Sequence, residues 1–592
     1  MAASHSAERA SGAPPCVLHE DEHLLVVHKP AGWNTHAPAP HAGEGIFDWL
    51  RARELRWASL SIIHRLDKET SGVLVFGLTP AANKSLSQQF EARTVTKTYV
   101  MHAARSRRRL QIPSAGGPLV VHRDAQDGWL RVSSGLVRQG ERYACCSAAA
   151  DGGGEAVTLF REVAEHAGGD TVLLEARPVT GRTHQIRAHA AALGVPVLGD
   201  RLYGGAPAER VWLHAASLAL RHPVDGRELR FEAAADAPGD DELARWSIAR
   251  AMLRPEETDI FRLRHGGARS PRTFVDCLGS VALVQSEGDA PADAASLLGV
   301  RRLWPMPNGA RNADAWLHAQ ATPLGARGAR IARVYHKRLR RDVRAASEPA
   351  DTSPRLVAGE RGADRFVVRE NGVLYELSVA DGYSVGIFHD QRDNRRRLLT
   401  GHVAPGFGAL WTRDGAAGPP ELLNVFAYTC AFSVAAALAG ARTTSLDVSK
   451  KYLAWGSDVN LPLNGLNAAA HDAIFGDAFD WLRRLARKAR LYDVVLLDPP
   501  TFSTTRSGRF SAERDYGVLV TAALAVLRPG GVLRASTNAA RLAPEAFLAA
   551  VRDAVAAAGR VIVREHYAPQ PPDFVISKDE PAYLKTVWLR VQ

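Results

Sequence analysis

Asp67 stands in the string HRLDKETSG at 64–72, and Arg182 and Arg187 stand in GRTHQIRAH at 181–189. A carboxylate fixed in a turn is a candidate nucleophile or base. Thr70, Ser71 and Gly72 favour a tight turn with side-chain hydrogen bonds to backbone, which would hold Asp67 at the mouth of the strand VLVFGL. Far downstream, VLLEARPV leads through Thr180 to Thr183 into a helix expected to begin near His184 and to carry Gln185, Arg187 and His189. An arginine in a first helical turn can reach back to a carboxylate and keep it ionised. Either motif alone is equally well explained by a buried ion pair between Asp67 and Arg187; the two together favour a site.

A second series of carboxylates lies in the other half. Asp447 closes the strand TTSLDV about 20 residues after the strand LLNVF, where an acidic side chain accepts hydrogen bonds from a ribose in a doubly wound fold. Asp477 in GDAFDWL and Asp498 in VVLLDPPTFS also follow apolar segments. The two prolines after Asp498 remove backbone donors and stiffen the loop, so a flat base can stack beside a fixed acceptor. An isolated Asp at a strand end is more often a helix cap. The ordered series points to a nucleoside-containing cofactor.

The elements that must position these groups differ between the halves. Residues 17–235 alternate short apolar strands with loops and few helices, which predicts an α+β domain with a mainly antiparallel sheet. Residues 1–16 read as a disordered tail, and 236–257 as a linker containing a short helix. Residues 258–400 are irregular, with basic runs and a Ser/Pro/Asp-rich break at 346–354. From 401 to 592, strands alternate with Ala-rich helices, which predicts an α/β doubly wound sheet. The change of pattern at 238–255 suggests independent cores on either side.

At 592 residues the chain is long enough for several folding units, and 46% hydrophobic with 23% charged residues is ordinary globular composition. The balance of 74 Lys+Arg against 63 Asp+Glu gives +11, concentrated in RSRRR (105–109), HKRLRR (336–341) and DNRRR (393–397). Such runs suit a polyanionic partner, or are merely solvated surface. The five cysteines are scattered, with no C-x-x-C pair, so neither a metal site nor a disulfide framework is expected and the chain reads as reduced and cytoplasmic. The N-terminus lacks the pattern of a signal peptide, and no apolar stretch is long enough to cross a membrane.

HRLDKETSG, KTYV around Tyr99, GRTHQIRAHAAALGVPVLGD (181–200) and LHAASLALRHP (213–223) together resemble the RluA-type pseudouridine synthases over nearly all of 17–235. The resemblance implies that Asp67 attacks the target uridine, that Tyr99 lies against the flipped base and helps remove the C5 proton, and that Arg187 pairs with Asp67. Arg65 and Arg182 would be auxiliary RNA contacts, and no cofactor is implied. Extrusion of the base is needed on physical grounds, since a stacked base cannot rotate about its sugar. The small N-terminal RNA-binding domain of many relatives is not expected here, which would leave target choice to other surfaces.

ENGVLYELSVADGYSVGIFHDQRDNRR (370–396), NVFAYTCAFSV, SLDVSKKYLAW, LNG and DPPTFS resemble the class I S-adenosylmethionine-dependent methyltransferases of large-subunit rRNA. The resemblance implies that Asp447 binds the cofactor ribose, that Asp477 lies near its adenine, that Phe426 and Tyr428 line the cofactor loop, and that Asp498 begins the catalytic loop. Tyr383, Phe388, Asp390, Arg392 and Arg395 would sit on an element covering the cofactor, with Arg392 and Asn538 toward substrate. Cys430 stands where the family usually has Gly. A side chain there would strain the loop or narrow the pocket.

The leading expectation is thus a bifunctional RNA-modifying enzyme whose partner is RNA, 23S rRNA by resemblance. The alternatives are a synthase with a degenerate methyltransferase fold that binds RNA, and a non-catalytic RNA-binding or assembly factor. Methylating a pyrimidine carbon generally needs a cysteine thiolate, and neither DPPTFS (498–503) nor RASTNAARL (534–542) contains Cys. The expected acceptor is therefore a base nitrogen, guanine N7 by resemblance.

Overall fold

The computed structural model describes residues 13–104, 119–123, 128–147, 154–165, 171–235, 247–254, 256–266, 272–298, 331–339, 353–381, 384–411, 418–505, 508–577 and 580–592. The run RSRRR, Tyr383, the proposed 1–12 portion of the tail and the break at 346–352 lie outside them.

The N-terminal half is one twelve-stranded sheet covering strands between Val17 and Glu232. Its pairings are antiparallel except between Ser71–Gly77 and Leu213–Arg221, which run parallel. That parallel pair is built around Gly72. A Cβ there would stand 2.2 Å from the Ala215 carbonyl oxygen, and its φ of +121° suits only glycine. Ser71 and Gly72 therefore already belong to the strand, and the turn that carries Asp67 is Lys68–Glu69, with Thr70 N donating to the Asp67 carbonyl at 3.1 Å. Ser71 Oγ bonds His214 Nδ1 at 2.8 Å instead of backbone.

The C-terminal half has a seven-stranded sheet in the order Asp472–Phe475, Arg442–Asp447, Glu421–Val425, Tyr492–Leu497, Leu527–Thr537, Lys585–Val591, Ile562–Tyr567. The first five run parallel and Lys585–Val591 pairs antiparallel to both of its neighbours. Chain order reverses between Glu421–Val425 and Tyr492–Leu497, which opens a crevice beyond the carboxyl ends of the strands. Its apolar strands are buried on both faces, as the continuous runs LLNV and VVLL require. The C-terminal half opens with a five-stranded sheet, Ile260–His265 to Arg355–Gly359, and the hairpin Arg365–Glu370/Val373–Ser378, ahead of the seven-stranded sheet.

The halves do not have independent cores. One apolar cluster joins Cys16, Leu25, Trp49 and Leu74 with Ile248, Met252, Phe261 and Val334. The short helix Ser247–Met252, expected in a linker, lays Ile248, Ala249 and Met252 into that cluster. Burying apolar surface from both sides at about 25 cal/mol per Å² ties the halves together far more firmly than a linker does.

The run DNRRR is neither an RNA-binding surface nor a solvated one. It forms the helix Arg392–Thr400, in which Arg392, Arg395, Arg396 and Arg397 are buried. Their partners are Asp573, Glu370, Glu54 and Glu44 respectively, and the last two belong to the N-terminal half. Arg392 and Arg395 tolerate such burial through planar, two-bond pairing with Asp573 and Glu370.

Candidate active sites

The first site is built where the turn after Leu66 meets the helix Gln185–Ala192. Thr35 Oγ donates to the Leu66 carbonyl at 2.9 Å and accepts from Leu66 N at 3.2 Å, which fixes the residue before Asp67. The helix is pinned by Gln185, whose amide donates to the Val157 carbonyl and Thr158 Oγ, both at 2.9 Å, while Thr180 Oγ donates to its Oε1 at 2.6 Å. This aims Arg187 at two carboxylates. Its Nε and Nη2 grip Asp200 at 2.6 and 2.9 Å, and its Nη1 donates to Asp67 Oδ2 at 3.3 Å.

Burial works against the charge on Arg187, but the hydrogen bonds and charge of Asp200, then of Asp67, lift its pKa above the ordinary value. The ion pair expected from sequence is therefore present, with Asp200 as the main partner. That leaves Asp67 26% exposed in its side chain and open to the cavity. Tyr203 lies over the guanidinium, 5.1 Å from ring centroid to Arg187 Cζ. His184 Nε2 stands 3.8 Å from Asp67 Oδ2, and burial, opposed by Asp67, lowers its pKa. His184, Asp200 and Tyr203 were not singled out from sequence. All three lie in or just after the quoted string 181–200, but their roles depend on contacts that spacing does not reveal.

Asp67, Tyr99, Arg65, Arg182 and Arg187 line one cavity of about 1110 Å³. Tyr99 sits in the strand Thr96–Ala104, and burial, then the negative charge of Asp67, raise its phenol well above the ordinary value. A phenol held protonated offers a ring face and an O–H; it is a poor acceptor for a proton from carbon. Arg65 and Arg182 are exposed, and Arg182 Nε donates to the Glu155 carbonyl at 3.3 Å. His189 points elsewhere, to Ser134 and Thr158.

The second site occupies the crevice of the seven-stranded sheet. After Val425 the loop adopts positive φ at Phe426 (65°), Tyr428 (49°) and Cys430 (62°), and then enters the helix Ala431–Leu438. Asp447 holds this loop: its Oδ2 accepts from Tyr428 N at 2.9 Å and its Oδ1 from Ser449 N at 2.8 Å. Burial nevertheless raises its pKa, because those donors offset desolvation only in part. Asp477 caps the helix Ala478–Arg487, accepting from Phe479 N at 3.0 Å and Asp480 N at 3.3 Å, and it also faces the crevice.

Phe426, Tyr428, Asp447, Asp477, Asp498 and Asn538 line one cavity of about 630 Å³. Burial raises the Asp498 carboxyl, with Arg534 opposing and Asp390 adding to the shift. Gln391 Nε2 donates to Asp498 Oδ2 at 3.1 Å, and Thr501 Oγ donates to Asn538 Oδ1 at 2.9 Å. Phe388, Asp390 and Gln391 also line the cavity.

Arg392 does not join the site. It is fully buried, and both Nη atoms donate to Asp573 at 3.0 and 2.6 Å, so it is a structural ion pair with no route to substrate. Arg395 is likewise spent on Glu370, at 2.6 and 2.8 Å. Sequence placed both on the covering element but missed that their faces of the helix turn inward.

Cys430 does not narrow the cavity. Its side chain packs with Ala427 and Leu453, on the side of the loop away from the lining residues. Room for it comes from Gly456: a Cβ at that position would lie 2.3 Å from Cys430 Sγ. Gly456 falls in the π-helical turn Trp455–Asn460, and Asn460 Nδ2 donates to the Thr429 carbonyl at 3.0 Å. Among the described residues, no group of three or more metal-ligating side chains is found, and no helix is long and apolar enough to cross a membrane.

Residues 23–192 match the RNA pseudouridylate synthase family, and residues 339–590 match the S-adenosylmethionine-dependent methyltransferase family. The dual-specificity RNA pseudouridine synthase RluA of Escherichia coli is 36% identical over 225 residues, 37% of this chain and 93% of that protein. The ribosomal large subunit pseudouridine synthase C of Yersinia pestis is 33% identical over 244 residues, 39% of this chain and 68% of that protein. A ribosomal RNA large subunit methyltransferase of Deinococcus radiodurans is 34% identical over 237 residues, 40% of this chain and 54% of that protein. The chain thus spans about half the length of the curated methyltransferases it matches. With an aspartate and arginine facing one cavity and three strand-end carboxylates facing another, the C-terminal half is similar to the S-adenosylmethionine-dependent methyltransferases, and the chain belongs to the RluA-type pseudouridine synthases through its N-terminal half.

Proposed function

We propose that this protein modifies RNA twice, isomerising a uridine to pseudouridine and methylating a base nitrogen, with large-subunit rRNA as the substrate. The observation that carries the first activity is the Asp67–Arg187–Asp200 arrangement, a partly exposed carboxylate held in place by a guanidinium anchored elsewhere. Asp67 attacks the nucleotide, the glycosidic bond breaks, and the base turns to rejoin the ribose through C5. Tyr99 supplies a ring face for the extruded base. Asp67, freed once the base has rejoined the ribose, is placed in the same cavity to take the C5 proton, with the Tyr99 hydroxyl beside the base. Arg65 and Arg182, exposed at the rim, contact the phosphate backbone.

The second cavity fits a nucleoside cofactor with a cationic tail. Asp447 and Asp477 provide acceptors at successive strand ends, Phe479 an apolar wall, and Asp390 a buried carboxylate oxygen, Oδ1, with no partner among the described residues. S-adenosylmethionine, when bound, supplies a methyl group on a sulfonium. The chain's own residues orient the acceptor: Pro499 and Pro500 stiffen the wall on which a base lies, while Asp498 and Asn538 offer hydrogen bonds. Cys430 is the only cysteine of the C-terminal sheet domain and does not line the cavity, which supports a base nitrogen over a pyrimidine carbon; guanine N7 rests on the resemblance of DPPTFS to the rRNA enzymes.

Nucleoside mass spectrometry of rRNA treated with purified protein and labelled S-adenosylmethionine tests both halves. The expected result is new pseudouridine and label in 7-methylguanosine. Label in 5-methylcytidine overturns the nitrogen assignment, and no new pseudouridine overturns the first activity.

A further inference from the structure

The segment 33–45 forms one wall of the cavity that holds Asp67, through Asn34, Thr35, His36 and Pro38. Its near side is tied to the catalytic turn by the paired Thr35–Leu66 hydrogen bonds. Its far side rests on the other half of the protein. Glu44 Oε1 accepts from Arg397 Nη2 at 3.3 Å, and the Glu44 carbonyl accepts from Trp33 Nε1 at 2.9 Å. Trp49, in the helix that follows, donates through Nε1 to Asp393 at 3.1 Å. A Cβ on Gly43 would stand 3.0 Å from Ile576 Cδ1, and the His41 ring lies 4.8 Å from that of Tyr567.

Within its own half the wall is tied to the following helix, where Gly45 N donates to Asp48 Oδ2 at 3.1 Å and Ile46 N and Phe47 N donate to the Asn34 and Thr35 carbonyls at 2.9 and 3.0 Å, so the contacts of Glu44, Gly43 and His41 are what set that unit against the other half. Arg397 is buried, and its Nε donates to the Val403 carbonyl at 3.0 Å, which fixes it to its own half. A buried guanidinium so anchored is a rigid post. A carboxylate buried opposite it is costly to leave unpaired, so the wall is held at one distance from the helix Arg392–Thr400.

We propose that the methyltransferase half completes the uridine pocket, with Arg397 as a positioning residue that sets the wall 33–45 through Glu44. The inference rests on the isomerase reading above. It means that the second half contributes to isomerisation whatever its own catalysis does, and that the fusion is part of how the first site is formed.

Full-length Arg397→Met protein tests this in three measurements: pseudouridine formation on an rRNA transcript, hydrogen exchange of 33–45, and calorimetric binding of S-adenosylhomocysteine. We expect exchange in 33–45 to rise and kcat/KM for isomerisation to fall about tenfold, chiefly through KM, as loosening a wall that binds the base requires. Binding of S-adenosylhomocysteine stays within about twofold, and Arg397→Lys recovers most of the isomerisation. Unchanged exchange and unchanged kcat/KM overturn the proposal. Equal loss of isomerisation and of cofactor binding overturns it too, since that is general destabilisation. If Arg397→Met does not fold, Gly43→Val, which pushes the same wall from Ile576, gives the same expected split and the same refuting outcomes. Wild-type protein without isomerase activity refutes the isomerase reading itself, a failure separate from that of the wall.

Discussion

Arg187 binds Asp67 with one hydrogen bond of 3.3 Å while holding Asp200 with two of 2.6 and 2.9 Å. The unequal sharing matters. Asp200 neutralises and orients the guanidinium, so Asp67 is kept in position without being sequestered. Asp67→Asn, which preserves shape, should abolish pseudouridine formation and leave the melting temperature nearly unchanged. Arg187→Ala should abolish activity and also cost about 3–5 kcal/mol, because Asp200 is left buried without its partner. Denaturant titration of both variants checks the contrast; retained isomerisation in Asp67→Asn would falsify the assignment.

Cys430 and Gly456 should be coupled. Gly456→Ala drives a methyl group to 2.3 Å from Cys430 Sγ, so it should lower stability and weaken S-adenosylhomocysteine binding as the loop 426–430 shifts. Cys430→Gly relieves a left-handed side-chain residue at φ 62° while losing buried contacts, and should be near neutral. The double variant Cys430→Gly/Gly456→Ala should recover much of the loss from Gly456→Ala. Additive effects in the cycle, within about 0.5 kcal/mol, mean the two do not share that space.

Asp390 lines the cavity; its buried Oδ1 has no hydrogen-bond partner among the described residues, and its Oδ2 accepts from Tyr583 O–H at 3.0 Å. A free carboxylate oxygen there suits the ammonium of the cofactor's amino acid tail. Asp390→Asn should weaken S-adenosylhomocysteine about tenfold or more and leave methylthioadenosine, which lacks that tail, unchanged. Equal affinities for S-adenosylhomocysteine in wild type and variant rule this out.

Stability should fall as pH drops below about 6.5. Burial pushes His64, His265 and His566 down to about 3, and His189 to about 4. These groups bind fewer protons folded than unfolded between those values and their ordinary pKa, so folding stability rises with pH across that window and is lost on acidification. Glu44, raised by burial to about 7, and Glu257, Asp447 and Asp498, also raised by burial, act oppositely, but burial lowers His184, His336, His402 and His471 as well, so the histidines outnumber the carboxyl groups. Melting temperatures from pH 5 to 7.5 check the sign; a flat or falling profile contradicts it.

The residue strings determined a great deal. The alternation of LLNVF, SLDV and VVLLDPP fixes parallel strands whose carboxyl ends must carry Asp447 and Asp498, since a doubly wound sheet exposes no other polar edge to a ligand. Asp67 and Arg187 were legible as a carboxylate in a turn and an arginine in a first helical turn, and Tyr99 only through the resemblance carried by KTYV. Tertiary structure decided the rest. Whether an arginine faces solvent or a buried carboxylate depends on what lies opposite its helix: DNRRR reads as a basic surface, yet Arg396 and Arg397 meet Glu54 and Glu44 some 340 to 350 positions earlier in the chain. Whether Cys430 harms its loop depends on the missing side chain of Gly456, and whether the halves are separate depends on one apolar cluster drawn from both. Local pattern encodes the period and type of each residue. Complementarity between distant surfaces arises only when the chain closes on itself.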